Sequence, residues 1–338
     1  MNDEELSLAT RAAWLSYVGG YTQAQIADRL GVSRVKAHRL IAAAHDAGRV
    51  KVFVEGTPAE CIALEDRLIN RFGLTTCAVV PTLHEYDEGT AETLAALGSA
   101  GARFLLQFLE KSGPALIGVG HGRTLSSLAD RLPHVSRPDV RFMSLLGSLT
   151  RKAAANPFDV IYRLAERTHA EGYFMPVPLI ADTEADAEVL LAQRTVQQAM
   201  QLARESELCV VGIGDVGPHA LFKQIGMLTP KEYEELAAHD AVGEVLGQFL
   251  DIQGRLVDCE INRRSLGLHL EDLPGRQVVA VAGGLEKVNA ILATLRSGFL
   301  TGLIIDEATA FQAISRSESD ANDERETVVE RRGSGSKG

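Results

Sequence analysis

Of the four cysteines, Cys61, Cys77, Cys209 and Cys259, no two are close enough to form a Cys-x-x-Cys pair, and no histidine cluster stands beside any of them. That spacing excludes a zinc ribbon and gives no disulfide framework, so no structural metal and no cofactor are expected. Cys77 and Cys209 lie in strand-like apolar runs, where a free thiol behaves as a small hydrophobe. Long hydrophobic runs are missing too. None approaches the roughly 18 apolar residues of a membrane span, and the acidic start Asp3-Glu4-Glu5 lacks the basic flank of a signal peptide. What remains is 338 residues, 46% apolar and with a net charge of −11. The expectation is a cytoplasmic globular protein with one large core and one small domain, and no membrane partner.

Positive charge is scarce overall but concentrated in one place. Between Arg29 and Lys51 stand six cations (Arg29, Arg34, Lys36, Arg39, Arg49, Lys51) against the single anion Asp46. The same stretch reads as two short helices joined by a glycine turn. Thr22 is placed to cap the first helix with Gln25 three residues on, and Ile26, Ala27 and Leu30 form an apolar stripe. Gly31 ends that helix, Val32 tucks inward, Ser33 caps the next helix, and Ala37, Leu40, Ile41 and Ala44 repeat on one face. The other face carries Arg34, Lys36, His38 and Arg39. This is the pattern of a helix-turn-helix that lays its second helix in the major groove. A basic head on an acidic body suits that reading, since the body would itself repel phosphate. The bland alternative is a solvated helical hairpin. The residues expected to touch operator DNA are Thr22, Gln23, Ser33, Arg34, Val35, Lys36, His38 and Arg39.

Around this motif the chain divides into a helix-turn-helix domain over 1–56, a connecting helix over 57–74, an effector-binding α/β domain over 75–314, and a tail over 315–338. The head's first helix is expected over Leu6 to Val18, with Trp14, Leu15 and Val18 facing the motif helices and Gly19-Gly20 breaking it. Arg49 to Glu55 alternates like an edge strand. Thr57-Pro58 opens a helix with Cys61, Leu64, Leu68 and Ile69 on one side, suited to link head to body or to pair with its copy. Ser315 to Gly338 holds six acids and five bases and ends Gly-Ser-Gly-Ser-Lys-Gly, the composition of a disordered tail. The body alternates short apolar runs with amphipathic helices, the signature of a doubly wound, mostly parallel sheet. Its candidate strands are Cys77 to Val80, Ala115 to Val119, Val140 to Leu146, Leu208 to Ile213, Gln277 to Ala282 and Leu303 to Ile305. In such sheets ligands bind outside the carboxyl ends of the strands.

The first of those ends carries Gly118, Gly120, His121, Gly122, Arg123 and Thr124 ahead of a helix. Small residues admit a close ligand, a helix N-terminus favours an anion, and Arg123 and Thr124 add a cation and a hydroxyl. The glycines fall at alternate positions, which is not the Gly-x-Gly-x-x-Gly of a dinucleotide site. A tight strand-to-helix turn with no ligand is the alternative. Further ends hold Gly212-Ile213-Gly214-Asp215, Ala241-Val242-Gly243-Glu244, Gly283-Gly284 with Lys287, and Asp306-Glu307. Carboxylates accept from the hydroxyls of a sugar while lysine or arginine holds a phosphate. Asp306 and Glu307 equally suit helix capping.

On these residues the sequence resembles the SorC-type sugar-binding transcriptional regulators, from about Arg11 to Ile314. Arg11-Ala12-Ala13-Trp14, Tyr21 through Arg34, Gly118 to Thr124, Gly212 to Gly214, Ala241 to Glu244, Gly283-Gly284 with Lys287, and Asp306-Glu307 with Thr309-Ala310 carry the likeness. It implies a winged DNA-binding head and an effector domain of the sugar-phosphate isomerase and deaminase type. It also implies a homo-oligomer, tetramer or dimer, whose hold on operator DNA answers to a sugar, polyol or sugar phosphate. Carried over by position, the resemblance assigns Gly118, Gly120, Gly122, Arg123 and Thr124 to phosphate or equivalent hydroxyls and places Glu244 and Lys287 along the rest of the site. Asn156, ahead of a helix expected over Pro157 to Glu171, is a further candidate, with an N-cap role explaining it equally well. His121 replaces a bulkier residue and is suited to donate to a hydroxyl or to help hold phosphate. Asp215, Gly283 and Asp306 complete the expected effector set. The alternative is an isomerase-like enzyme with Glu244, Asp215 or Lys287 as acid or base. Against it, the chain has Gly212-Ile213-Gly214-Asp215 in place of the Asp-Gly-Ala-Asp-Glu run of those enzymes, so no catalytic residue is expected.

Overall fold

The computed structural model describes residues 3–50, 56–82, 91–149 and 160–334, with side chains between 4 and 320. It resolves into two compact units, Met1–Val54 and Glu55–Gly338. The first holds α1 (Asp3–Ala13), α2 (Gln23–Leu30) and α3 (Arg34–Asp46). Thr22 and Gln25 form the reciprocal capping box that starts α2, Gly31 ends it in the left-handed conformation (φ +61°), and Ser33 accepts from the Lys36 amide to start α3. Ile26, Ala27, Ala37, Leu40 and Ala44 pack with Ala9, Ala12 and Ala13 of α1, and Leu30, Val32 and Ile41 flank them.

The expectation for the end of the first helix needs correcting. Trp14 and Val18 are 63% and 66% exposed, and only Leu15 turns toward the core. Residues Trp14–Val18 form a π-helical turn, in which the hydrogen bonds reach one residue further than in an α-helix. Side chains placed by the 3.6-residue period therefore rotate off the inward face. The edge strand expected over Arg49 to Glu55 falls largely on 51–55, outside the described residues.

The second unit runs α4 (Ala59–Phe72), β1 (Thr76–Val80), α5 (Ala91–Lys111), β2 (Ala115–Val119), α6 (Arg123–Arg131), β3 (Val140–Ser144), α7 (Val160–Thr168) and β4 (Glu171–Tyr173). It continues through α8 (Glu184–Leu191), α9 (Arg194–Arg204), β5 (Leu208–Val211), β6 (Gly214–Asp215), α10 (Leu221–Gln224), α11 (Pro230–Ala238), β7 (Ala241–Val245) and β8 (Gln248–Asp251). The last elements are α12 (Glu260–Arg264), β9 (Gln277–Val281), α13 (Val288–Arg296), β10 (Gly302–Asp306) and α14 (Glu307–Ser334). Seven strands form one parallel sheet in the order β1-β10-β9-β5-β2-β3-β4. Its central strands β2 and β5 are apolar and buried at every position because both faces are covered. Leu116, Met143, Cys209, Val278 and Leu303 point into one core, and Ile117, Phe142, Val210, Val279 and Ile304 into the other.

The connecting helix α4 is packed into the first of these cores through Cys61, Leu64 and Leu68. Two further expectations are corrected here. The helix expected over Pro157 to Glu171 is described as α7, and Glu171 already belongs to β4. Residues 315–334 of the expected tail continue α14, which is anchored by side-chain contacts as far as Asp320. Arg71 donates to the Oγ and the carbonyl of Ser317 at 2.9 and 3.0 Å, Arg67 pairs with Glu318 at 2.8 Å, and Arg296 pairs with Asp320. A polar composition reads as disorder only when no partner surface waits for it, and α4 and α13 supply one. Among the described residues no helix is long and apolar enough to cross a membrane.

Candidate functional site

After β2 the chain builds β3 and β4 on one side, then returns to place β5 on the other side of β2. The direction of winding reverses between β2 and β5, and the crevice outside their carboxyl ends is where an open parallel sheet admits ligands. A partly enclosed pocket lies there. It is lined by Gly120, His121, Gly122, Arg123 and Thr124 from the β2–α6 turn, Gly212 to Asp215 after β5, Glu244 and Leu246 of the small sheet, and Lys287.

Each side chain reaches the pocket for a local reason. Gly122 at φ +127° occupies backbone space that a β-carbon makes costly, and it turns the chain so that α6 begins at the pocket. The first amides of α6 have no intrahelical acceptor, which leaves them as anion donors. Among the described residues no carboxylate pairs with Arg123. His121 Nε2 lies 3.0 Å from Ser144 Oγ, and Ser144 donates its single proton to the Leu146 carbonyl at 2.8 Å. His121 Nε2 is therefore the donor to Ser144, and in the neutral ring Nδ1 is an acceptor.

Glu244 arrives by an unforeseen route. Ala241–Val245 was expected as a strand end of the main sheet, but it is the middle strand of a separate antiparallel sheet, β6-β7-β8. β6 follows directly on β5, and its Gly214 stands opposite Glu244. The Gly247 amide donates to Glu244 Oε1, and a β-carbon on Gly214 would lie 2.5 Å from Oε2, so glycine makes room for the carboxylate. Burial pushes the Glu244 carboxyl from 4.5 up to about 7, with Asp215 adding to the rise while the Gly247 amide and Lys287 oppose it. Lys287, only 9% exposed, donates to the Ile213 carbonyl at 3.1 Å. Burial and the neighbouring Arg123 hold its amine below the usual lysine value. Asp215 accepts from the Gly217 amide at 2.9 Å.

The raised carboxyl has a measurable consequence. A folded-state value of about 7 against 4.5 means that folding takes up a proton in that interval, so stability is full below pH 4.5 and declines as pH rises through 7. Glu244→Gln removes the titration. The variant is expected to match the parent near pH 4.5 and to exceed it by about 3 kcal/mol at pH 8, read from urea unfolding at both values. An identical pH slope in the two proteins would remove Glu244 as the group responsible.

Of the expected effector residues, the pocket unites Gly120, His121, Gly122, Arg123, Thr124, Asp215, Glu244 and Lys287. Gly118, Gly283 and Asp306 do not line it. Gly118 sits inside β2, where a β-carbon would meet Leu145 at 2.4 Å. Asp306 is a clasp: its Oδ1 accepts from the Thr309 amide at 3.0 Å and its Oδ2 from the Gly284 amide at 2.9 Å. It ties the start of α14 to the Gly283-Gly284 turn that carries Lys287, and Gly283 is glycine because a β-carbon would strike that carboxylate. Asn156 lies outside the described residues. The sequence reading missed Leu146, Leu149, Leu221, Phe222 and Leu246, the apolar wall. Phe222 packs edge-on against Phe249, and nothing in the spacing of α10 separates it from an ordinary core residue.

In the first unit Arg34, Val35, Lys36, His38 and Arg39 are all exposed on α3, opposite the face that Ala37, Leu40 and Ala44 bury. Thr22 and Ser33 are occupied as caps. Gln23 Nε2 lies 3.1 Å from His38 Nδ1 and bridges the start of α2 to α3.

Residues 57–315 match the family model described as "Putative sugar-binding domain". The erythritol catabolism regulatory protein EryD of Brucella abortus (strain 2308) is 48% identical over 310 residues, which cover 92% of this chain and 97% of the relative. The full-length sorbitol operon regulator SorC of Klebsiella pneumoniae has the same fold at a TM-score of 0.66 and 25% identity, covering 92% of this chain and 100% of that one. The chain belongs to the SorC-type sugar-binding transcriptional regulators. The transcriptional regulator LsrR of Enterobacter sp. (strain 638), 32% identical over 90% of this chain and 92% of its own, agrees. These relatives are transcriptional regulators, which sets the isomerase alternative aside.

Proposed function

We propose that this chain is a cytoplasmic, homo-oligomeric regulator of carbohydrate or polyol catabolism whose grip on operator DNA is governed by a small polyhydroxylated effector in the β2–β5 pocket. The observation that carries the reading is the division of the pocket into two chemistries. The N-terminus of α6 with Arg123 and Lys287 suits a phosphate, while Asp215, Glu244 and His121 suit hydroxyl groups. An open-chain polyol or sugar phosphate satisfies both sets. EryD, named for erythritol catabolism, directs the first trial to tetritols and their phosphates. The domain limits proposed are a DNA-binding head over 1–56 and an effector domain over 75–314, with α4 between them.

A thermal-shift panel of sugars, polyols and their phosphates on the full chain tests the site, because a ligand that prefers the native state raises the melting temperature. A hit that Arg123→Ala weakens supports the phosphate assignment. A hit indifferent to Arg123→Ala and Lys287→Met would place the effector elsewhere.

Two or four heads on a symmetric oligomer would engage a pseudo-palindromic operator. On α3, Arg34→Ala is expected to weaken operator binding about 5- to 150-fold and to relax sequence preference, whereas Arg39→Ala weakens operator and random DNA alike. Affinities of both variants on both DNAs at one fixed salt concentration check this. Equal losses on operator and random DNA for Arg34→Ala contradict the base-reading role.

A further inference from the structure

The exposed face of α3 carries one residue that phosphate attraction does not explain. Val35 is 66% exposed, in the first turn of the helix, among Arg34, Lys36, His38 and Arg39. It points away from the core that Ala37, Leu40 and Ala44 build. In a helix a valine side chain is held almost entirely in one rotamer, so its methyl groups form a fixed apolar spot.

His38 lies three residues on, on the same side of the helix, and its ring is held by a neighbour. The Gln23 amide nitrogen is only a donor, so His38 Nδ1 accepts, and the proton of the neutral ring sits on Nε2. The surface therefore offers an apolar spot near a ring that itself presents a single hydrogen-bond donor. Among the four bases, thymine alone presents in the major groove a methyl group next to an acceptor, O4. Guanine offers two acceptors and no methyl, and cytosine and adenine offer donors.

We infer that Val35 and His38 together read a thymine in each half-site, Val35 against the C5 methyl and the Gln23-positioned His38 toward O4. The inference rests on the proposed DNA-binding role of this head and adds to it the identity of one base.

The test uses the full-length protein and the tightest duplex selected from a randomised pool. Each thymine is replaced singly by uracil, which removes the methyl and leaves O4 in place. At one thymine per half-site the parent is expected to lose about fourfold in affinity, the value of one buried methyl. Val35→Ala is expected to be indifferent to that same replacement while keeping the parent's melting temperature and its sensitivity to salt. His38→Ala is expected to keep the uracil penalty and to lose the preference for uracil over cytosine at the same position, where neither base carries a methyl group. A parent indifferent to every uracil, or a Val35→Ala protein that keeps the full penalty, overturns the inference while leaving the DNA-binding role intact. A pool from which no duplex is enriched overturns both.

Discussion

Lys287→Met is expected to lower effector affinity roughly 10- to 100-fold, the worth of a charge-assisted hydrogen bond in a buried site. Methionine keeps the length and apolar stem of lysine but removes the ammonium that donates to Ile213 O and opposes the rise of the Glu244 carboxyl. In the absence of effector the variant no longer buries an ammonium but leaves the Ile213 carbonyl without this donor, a cost of about 1 to 3 kcal/mol that the free protein's unfolding reads. Calorimetric titration of the effector found in the thermal-shift panel gives the affinity, and unfolding of the free protein gives the control. Unchanged affinity in a folded variant would mean that Lys287 only supports the turn after β9.

Arg264→Ala is expected to destabilise the second unit by about 3 to 5 kcal/mol, because it strands a buried carboxylate. Arg264 is 5% exposed and donates to Glu232 Oε1 at 2.6 Å and to the carbonyls of Ala181 and Asp182, both at 3.0 Å. Glu232 in turn caps α11 through the Thr229 amide. One guanidinium thus joins α12, α11 and the 181–182 turn, close in the chain to the α10 segment that supplies Leu221 and Phe222 to the pocket. At roughly 2 to 4 °C per kcal/mol the melting temperature should fall by about 10 °C or more. Replacing both partners, Arg264→Met with Glu232→Met, should recover much of the loss. A fall of less than 1 °C for Arg264→Ala would show that the pair contributes nothing to the fold.

Which parts of this molecule were legible in the sequence follows from how each is buried. β2 and β5 stand out because strands covered on both faces are apolar throughout, and the head's caps stand out because Thr22, Gly31 and Ser33 are local chemistry. Ala241–Val245 was harder. It alternates, with Val242 and Glu244 on one side and Ala241, Gly243 and Val245 buried, and nothing local separates a strand of a second sheet from a strand end of the first. The backbone of α13 comes so close that a β-carbon on Gly243 would lie 2.9 Å from Ala290 Cα, a long-range fact that no local pattern carries.

The site residues divide in the same way. Arg123 and Thr124 follow a glycine turn that announces itself, whereas Asp306 has the type expected of a ligand yet accepts from the Gly284 amide 22 residues back, with Gly283 making room for its carboxylate. Carboxylates at helix starts look alike whether they hold a sugar or an amide, and only the tertiary fold tells them apart. Val18 was misplaced for a different reason. A π-turn shifts the phase of every side chain after it, and composition gives no warning of one.

The central claim is that the pocket and the DNA face are linked, so that the effector must bind the free and the operator-bound states unequally. The most direct measurement is operator affinity of the full-length protein, by fluorescence anisotropy at fixed salt, with and without saturating effector. A change of about 5- to 150-fold is the predicted result. An affinity unchanged by an effector that demonstrably occupies the β2–β5 pocket would contradict it.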